Sequence, residues 1–235
     1  MAIDPKSLAP TYASSTPFPH LVFKKLWDES LLKKVAEECL AFTDWDEKKI
    51  FKSVSVNKRS CGIFGKLPPK TKMLLSYCNS SKFLEFLEEI TGEKGLIPDP
   101  HLLGGGIHSS LNDGFLKMHA DFNWHDRLKL YRRLNLLIYL NPDWDKSWGG
   151  ELCLACKTDQ GLHIEKTIEP LFNTTVLFTT TDQSFHGHPE PMSLPEGKFR
   201  NSLALYYYVS EKPVNSADIQ RSYTDYRQLN GQRYL

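Results

Sequence analysis

The chain predicts an α+β fold, with helices first and an antiparallel β core after them. Two patterns carry this reading. Between residues 30 and 91, apolar side chains recur at helical spacing. From about 98 to 210, short apolar runs alternate with Gly, Pro, Asn and Asp turns, as in a sandwich or barrel. A length of 235 residues, 40% of them hydrophobic, suffices for one sizeable core.

The elements follow in order. Residues 1–18 are rich in Pro, Ser, Thr and Ala and read as a flexible leader. A single domain is expected over 19–210, with helical support at 19–97 and the β core at 98–210. Pro19 to Phe23 forms a short strand. Ser30 can cap a first helix, whose apolar side is Leu31, Leu32, Val35, Ala36, Cys39 and Leu40. The stretch 47–66 alternates polar and apolar residues and reads as strand, turn, strand. Pro68 and Pro69 open a second helix reaching about Cys78. A third spans 81–91, with Phe83, Leu84, Phe86, Leu87 and Ile90 on one side, and Gly92 ends it. Seven strand patterns then follow, at 102–108, 114–122, 133–141, 150–157, 163–168, 174–180 and 199–209. Residues 211–235 form a polar C-terminal extension with interspersed Tyr and Arg.

Charge excludes several function classes. The net charge is +1 and the pI about 7.7, with no concentrated basic surface for nucleic acid or membrane. No run of roughly 20 apolar residues could span a bilayer. The N-terminus lacks the apolar core and cleavage site of a secretory signal, so a cytoplasmic location is expected. The five cysteines are odd in number and irregularly spaced, which favours reduced thiols. Cys153 and Cys156 make a C-x-x-C pair, but no second pair of ligands follows and the pair sits in a strand pattern. They read as plain strand residues.

The chemistry concentrates in Lys117-Met118-His119-Ala120-Asp121-Phe122. In a strand His119 and Asp121 project to one side, about 6–7 Å apart along the backbone. An imidazole and a carboxylate so placed can take adjacent positions on a metal. A second His from elsewhere would complete a 2-His-1-carboxylate triad, the ligand set of non-haem iron(II) oxygenases. On its own, H-x-D is a weak signal. Two candidates for the second His stand in Ser184-Phe185-His186-Gly187-His188-Pro189. The last strand pattern puts Arg200, Ser202 and Ala204 on one face. Arg200 can pair bidentately with a carboxylate, and Ser202 can add a hydroxyl. In the 133–141 strand, Leu134, Leu136, Ile138 and Leu140 form an apolar face. Arg133, Asn135, Leu137 and Tyr139 form a mixed one, suited to line a buried pocket.

At this point the chain resembles the iron(II)/2-oxoglutarate dioxygenases of the prolyl-hydroxylase type. The resemblance rests on an ordered set: His119-Ala120-Asp121, Tyr139-Leu140-Asn141, Asp143-Trp144, Gly149-Gly150-Glu151-Leu152, Ile168-Glu169-Pro170, His186 and Arg200. It covers roughly 102–210, and the Pro19 to Phe23 strand with its helix also looks like the family's start. It implies a double-stranded β-helix (jelly-roll) core with supporting N-terminal helices. It also implies Fe(II) on His119, Asp121 and His186, with O2 and 2-oxoglutarate as cosubstrates and ascorbate as a further candidate. The far carboxylate of 2-oxoglutarate would meet Arg200, Tyr139 and Ser202. His186 is preferred over His188 because the family's His directly follows its strand. The Pro189 to Lys198 segment is longer than the family's usual gap and reads as a surface loop. Asp121 favours hydroxylation, since related halogenases lack that carboxylate.

The resemblance implies hydroxylation of a prolyl residue in a peptide or protein. A free amino acid or other small metabolite is the alternative substrate. A non-catalytic jelly-roll binding module and a zinc or manganese cupin isomerase are the readings from other classes. Neither explains an intact ligand set together with Arg200. The substrate-facing segments are expected at 45–66, 122–132, 189–198 and in the tail with Tyr223, Tyr226, Arg227, Arg233 and Tyr234. Of the remaining histidines, His125 reads as a solvated loop residue, His108 as either pocket-lining or structural, and His101 and His163 as structural or exposed. Trp144 and Trp148 read as packing under the Gly149-Gly150 turn.

Overall fold

A computed structural model describes residues 3–213 and 220–234. The helices are α1 (Pro5–Ser14), α2 (Glu29–Leu40), α3 (Pro69–Cys78) and α4 (Ser81–Thr91). The strands are β1 (His20–Lys24), β2 (Ile50–Lys52), β3 (Val56–Cys61), β4 (Ile97–Pro98), β5 (Gly106–Ser110), β6 (Phe115–Ala120) and β7 (Trp124–His125). They continue as β8 (Leu130–Tyr139), β9 (Leu152–Thr158), β10 (Gly161–Ile168), β11 (Thr174–Thr179), β12 (Phe185–His188), β13 (Arg200–Val209) and β14 (Asp225–Tyr226). They join into one curled sheet in the order β1-β11-β8-β13-β5-β3-β6-β12-β9-β10, with β2, β4, β7 and β14 paired at its margins. Every strand pairing is antiparallel. This is the expected α+β jelly roll.

The apolar alternation read in the sequence decides which face of the sheet meets the helices. Leu134, Leu136 and Ile138 of β8 lie level with Tyr207, Leu205 and Leu203 of β13. Together they cover Leu32, Val35, Leu74, Leu75, Phe83, Leu87 and Ile90 of the helices, all essentially buried. Fully burying each such side chain is worth about 1.5–3 kcal/mol, so this helix-on-sheet layer anchors the fold. The opposite, concave face of the same two strands is left to line a pocket.

Four expectations need correction. The supposed flexible leader contains α1, opened by Asp4, whose side chain accepts from the Lys6 amide, with Pro5 in the first turn. Tyr12 from α1 is 3% exposed and hydrogen-bonds Thr179, so the helix is tied to β11. Proline suits a helix's first turn, which composition alone does not reveal. Helix α2 is capped by Asp28, accepting from the Leu31 amide, not by Ser30. The alternation of β8 breaks at a β-bulge whose extra residue is Arg133, opposite Tyr207 and Tyr208. Arg132 therefore lines the pocket, and Arg133 turns out to pair with Glu93. Finally, Pro189 to Lys198 is no free surface loop. Met192 and Leu194 are buried, and the backbone of Met192 bonds to Gly114 and Asp113.

Candidate active site

Strands β6 and β12 are neighbours, and His119 and His186 are cross-strand partners. Asp121 lies just beyond the end of β6, on the side of His119. His119, Asp121 and His186 are all buried, and one ligand atom from each lies within 4.8 Å of the others. Nε2 of His119 is 3.6 Å from Oδ1 of Asp121, and Nε2 of His186 is 3.3 Å from its Oδ2. Ligands about 2.1 Å from a shared ion and at right angles would sit about 3 Å apart, so this set fits a metal. Both rings are held for that role. Nδ1–H of His119 donates to the Lys117 carbonyl at 2.9 Å, and Nδ1–H of His186 to the Ser184 carbonyl at 3.0 Å. Each Nε2 keeps its lone pair free.

His188 takes no part in this cluster. A register shift between His186 and His188 sets the latter opposite Leu116. Gly187 makes the close passage possible, since a Cβ there would lie 2.6 Å from the Leu116 carbonyl oxygen. His188 is buried, lines the same pocket, and leaves Nδ1 without a partner.

Asp121 is held by two residues that the motif reading did not single out. Arg132 Nη2 and Asn135 Nδ2 each donate to its Oδ2 at 2.8 Å, leaving Oδ1 for an ion. The Arg132 guanidinium is itself clamped by Asn135 and sits 3.4 Å from the centre of the Tyr206 ring. Burial alone would raise the Asp121 carboxyl, but Arg132 and then His186 hold it well below the usual carboxylate range. Burial, aided by His186, brings His119 down to about 3, so its imidazole is neutral at pH 7. A carboxylate and a neutral imidazole are the protonation states a metal requires. The signal for Asn135 was its place on the mixed face of β8; Arg132 was hidden by the bulge.

Across the pocket stand Tyr139, Arg200 and Ser202, all buried. Ser202 pairs with Tyr139 in the β13–β8 ladder. Arg200 Nε donates to the Gly150 carbonyl at 2.7 Å and its Nη2 reaches the Tyr139 hydroxyl at 3.3 Å. The Gly149-Gly150 turn shapes this end. Gly150 has φ +79°, and a Cβ there would lie 2.5 Å from Met192 Sδ and 3.2 Å from Arg200 Cδ. Trp144 supports the turn by donating to the Gly149 carbonyl at 3.2 Å and packs edge-on against Trp148. Burial raises the Tyr139 phenol, so it stays a hydrogen-bond donor.

Residues 106–208 match the model of the 2OG-Fe(II) oxygenase superfamily. The matched span carries His119, Asp121, Tyr139, His186, Arg200 and Ser202. Among curated relatives, a prolyl 3-hydroxylase OGFOD1 of Xenopus laevis is 36% identical over 98 residues, and that of Mus musculus 36% over 87. Those alignments cover 40% and 36% of this chain but only 19% and 15% of the relatives. Solved structures share the fold more widely. A prolyl hydroxylase from Trichoplax adhaerens, in complex with a hypoxia inducible factor peptide, superposes with TM-score 0.60 at 15% identity, covering 86% of this chain and 88% of its own. A Pseudomonas putida prolyl-4-hydroxylase gives 0.59 at 15% identity, covering 87% and 98%. HygX from Streptomyces hygroscopicus, with nickel, 2-oxoglutarate and hygromycin B bound, gives 0.52 at 15%, covering 80% and 82%.

The other sequence candidates divide. His108 lines the pocket, whereas His101 and His163 are exposed. His125 is no solvated loop residue; it is 3% exposed in β7 and packs against Tyr208. Cys153 and Cys156 are free thiols three residues apart on β9, so they point to opposite faces. In the tail, β14 pairs with β6 and lays Tyr226 over the His119 ring at 5.3 Å. Tyr226 and Thr224 thereby line the pocket. Arg221 is buried and donates to the Asp121 carbonyl at 2.7 Å.

Proposed function

We propose that the protein is an iron(II)- and 2-oxoglutarate-dependent dioxygenase that hydroxylates a prolyl residue in a peptide or protein. The observation that carries this reading is one pocket with two complementary ends. At one end two free imidazole Nε2 atoms and a carboxylate Oδ1 converge. At the other, Arg200, Tyr139 and Ser202 offer a cation and two hydroxyls to a dicarboxylic acid. His119, Asp121 and His186 would hold the metal on one face only, leaving the remaining positions open. The bound metal and 2-oxoglutarate supply the oxidising chemistry. The chain supplies neutral imidazoles, a carboxylate pinned by Arg132 and Asn135, and an arginine that fixes the cosubstrate's direction. The prolyl substrate is supported by the similarity to the prolyl 3-hydroxylases OGFOD1.

The test is oxygen-dependent succinate release with iron(II), across prolyl peptides and small metabolites, with the product examined for a gained oxygen atom. His119→Ala and Asp121→Ala should each lower 2-oxoglutarate turnover at least about 100-fold. Undiminished succinate in either variant would remove the assignment of the triad. Stimulation by free amino acids and not by peptides would shift the substrate to the small-molecule class.

A further inference from the structure

The pocket holds a cation that neither the metal set nor the cosubstrate end accounts for. Strand β3 presents Val56, Lys58 and Ser60 to it, while Arg59 turns away between the Trp45 and Phe199 rings. Ser60 pairs with His108, His108 with Ser202, and Ser202 with Tyr139, so one row of side chains crosses four strands. In the next row Ser110 pairs with Arg200, and Lys58 lies two residues from Ser60 on the same face. Lys58 and Arg200 thus look into one space from strands on either side of β5, their backbones roughly 10 Å apart.

Among the described residues no carboxylate forms an ion pair with Lys58. Asp121 Oδ2 is taken by Arg132 and Asn135 and faces His186, and its Oδ1 faces His119. The Lys58 ammonium donates to Nδ1 of His108 at 3.4 Å. His108 is fixed as the acceptor because its Nε2–H donates to the Gly104 carbonyl at 2.8 Å. One of three ammonium hydrogens is thereby used, and two remain. Burial, opposed by Asp121, brings the ammonium down to about 8, which leaves it mostly charged at pH 7. Lys58 is half-buried, and an ammonium partly withdrawn from water without a counter-charge gains from an anionic partner. The unpartnered Nδ1 of His188 in the same pocket marks a second polar group awaiting a partner. Arg200 already has the cosubstrate end. Lys58 stands instead beside β6 and toward the half-exposed Lys49 and Phe51, on the side open to substrate.

We propose that Lys58, braced by His108, binds a carboxylate of the substrate, so the hydroxylated compound carries an acidic group close to its reacting ring. This rests on the oxygenase reading above. A free amino acid would supply that group as its α-carboxylate, and a peptide as a neighbouring acidic side chain.

The test uses protein loaded with zinc(II) and 2-oxoglutarate, which cannot turn over. Matched acid and amide probes are titrated by ligand-detected NMR: L-proline against L-prolinamide, and blocked dipeptides of Asp-Pro, Glu-Pro, Pro-Asp and Pro-Glu against their Asn and Gln counterparts. In the native protein at least one acid should bind about tenfold tighter than its amide. Lys58→Met should erase that preference, Lys58→Arg should keep it, and 2-oxoglutarate affinity should stay within about twofold in both. The proposal is overturned by the lack of any acid preference in the native protein, or by a preference that survives Lys58→Met. It is overturned equally if Lys58→Met weakens 2-oxoglutarate as much as Arg200→Lys does, since Lys58 would then serve the cosubstrate. Failure of the native protein to bind 2-oxoglutarate would instead remove the oxygenase reading itself.

Discussion

At the residue scale, the proposed metal end depends on groups other than its three candidate ligands. Arg132 and Asn135 both donate to the same oxygen of Asp121, so they decide which oxygen is left for an ion. Asn135→Ala removes one of these hydrogen bonds while Arg132 keeps the carboxylate charged. The expected result is a loss of about 10–100-fold in metal affinity, read by manganese(II) titration, with the pocket otherwise folded. Unchanged affinity would mean that Arg132 alone orients the carboxylate. His119 makes a separate statement about acidity. Its folded value of about 3 lies below the ordinary 6.5 of an exposed imidazole. Between those values the unfolded chain takes up a proton that the folded chain refuses. Stability is therefore full above about pH 6.5 and falls as pH drops, by up to about 1.4 kcal/mol per unit from this residue. Metal-free protein should lose about 1 kcal/mol between pH 7.5 and 5.5 on this account, measured by denaturant unfolding. His119→Ala should lose measurably less over the same interval; equal losses would assign the effect elsewhere.

At the element scale, turns and bulges aim side chains that regular strands could not. The bulge opposite Tyr207 and Tyr208 moves Arg132 inward and frees Arg133 for Glu93. The Gly149-Gly150 turn brings a carbonyl to Arg200 Nε and keeps Met192 against a bare Cα. Gly150→Ala places a methyl group where Met192 and Arg200 now sit, at a positive φ that alanine disfavours. It should weaken 2-oxoglutarate binding at least about tenfold and destabilise by about 1–3 kcal/mol. Isothermal titration with 2-oxoglutarate, alongside thermal unfolding, separates the two effects. Native cosubstrate affinity in this variant would show that the turn does not position Arg200. Strand β14 acts similarly on the metal end. Asp225 meets Arg221, Arg227 and Arg233, and this network holds the short strand against β6.

At the scale of the whole molecule, the helices and the site occupy opposite faces of the same strands. Leu136 and Ile138 of β8 meet the helices while Asn135, Leu137 and Tyr139 face the pocket. Helix α1 belongs to this support, through Tyr12 against Thr179 of β11. Tyr12→Ala should cost about 3–5 kcal/mol, as truncation of a buried aromatic does, and lower the unfolding midpoint in urea. The metal affinity of the folded fraction should be unaffected. A negligible stability change would return residues 5–14 to the loose leader that their composition suggested.

Much of this molecule was legible in the sequence because period and spacing are local. Strand alternation put His119 and Asp121 on one side and Arg200 and Ser202 on another, and helical spacing marked α2 and α4. The order of short motifs singled out His186 and Tyr139, which the structure brings to the same pocket. What spacing does not carry is contact between distant segments. Lys58 and His108 are adjacent only because β3 and β5 pair, and Tyr226 reaches His119 only because β14 joins β6. The parity of Arg132 and Arg133 was decided by a bulge that depends on β13 lying alongside. A sequence dictates periodicity through local sterics, whereas these placements are settled by strand pairing and burial across the chain, so the tertiary structure alone decided them.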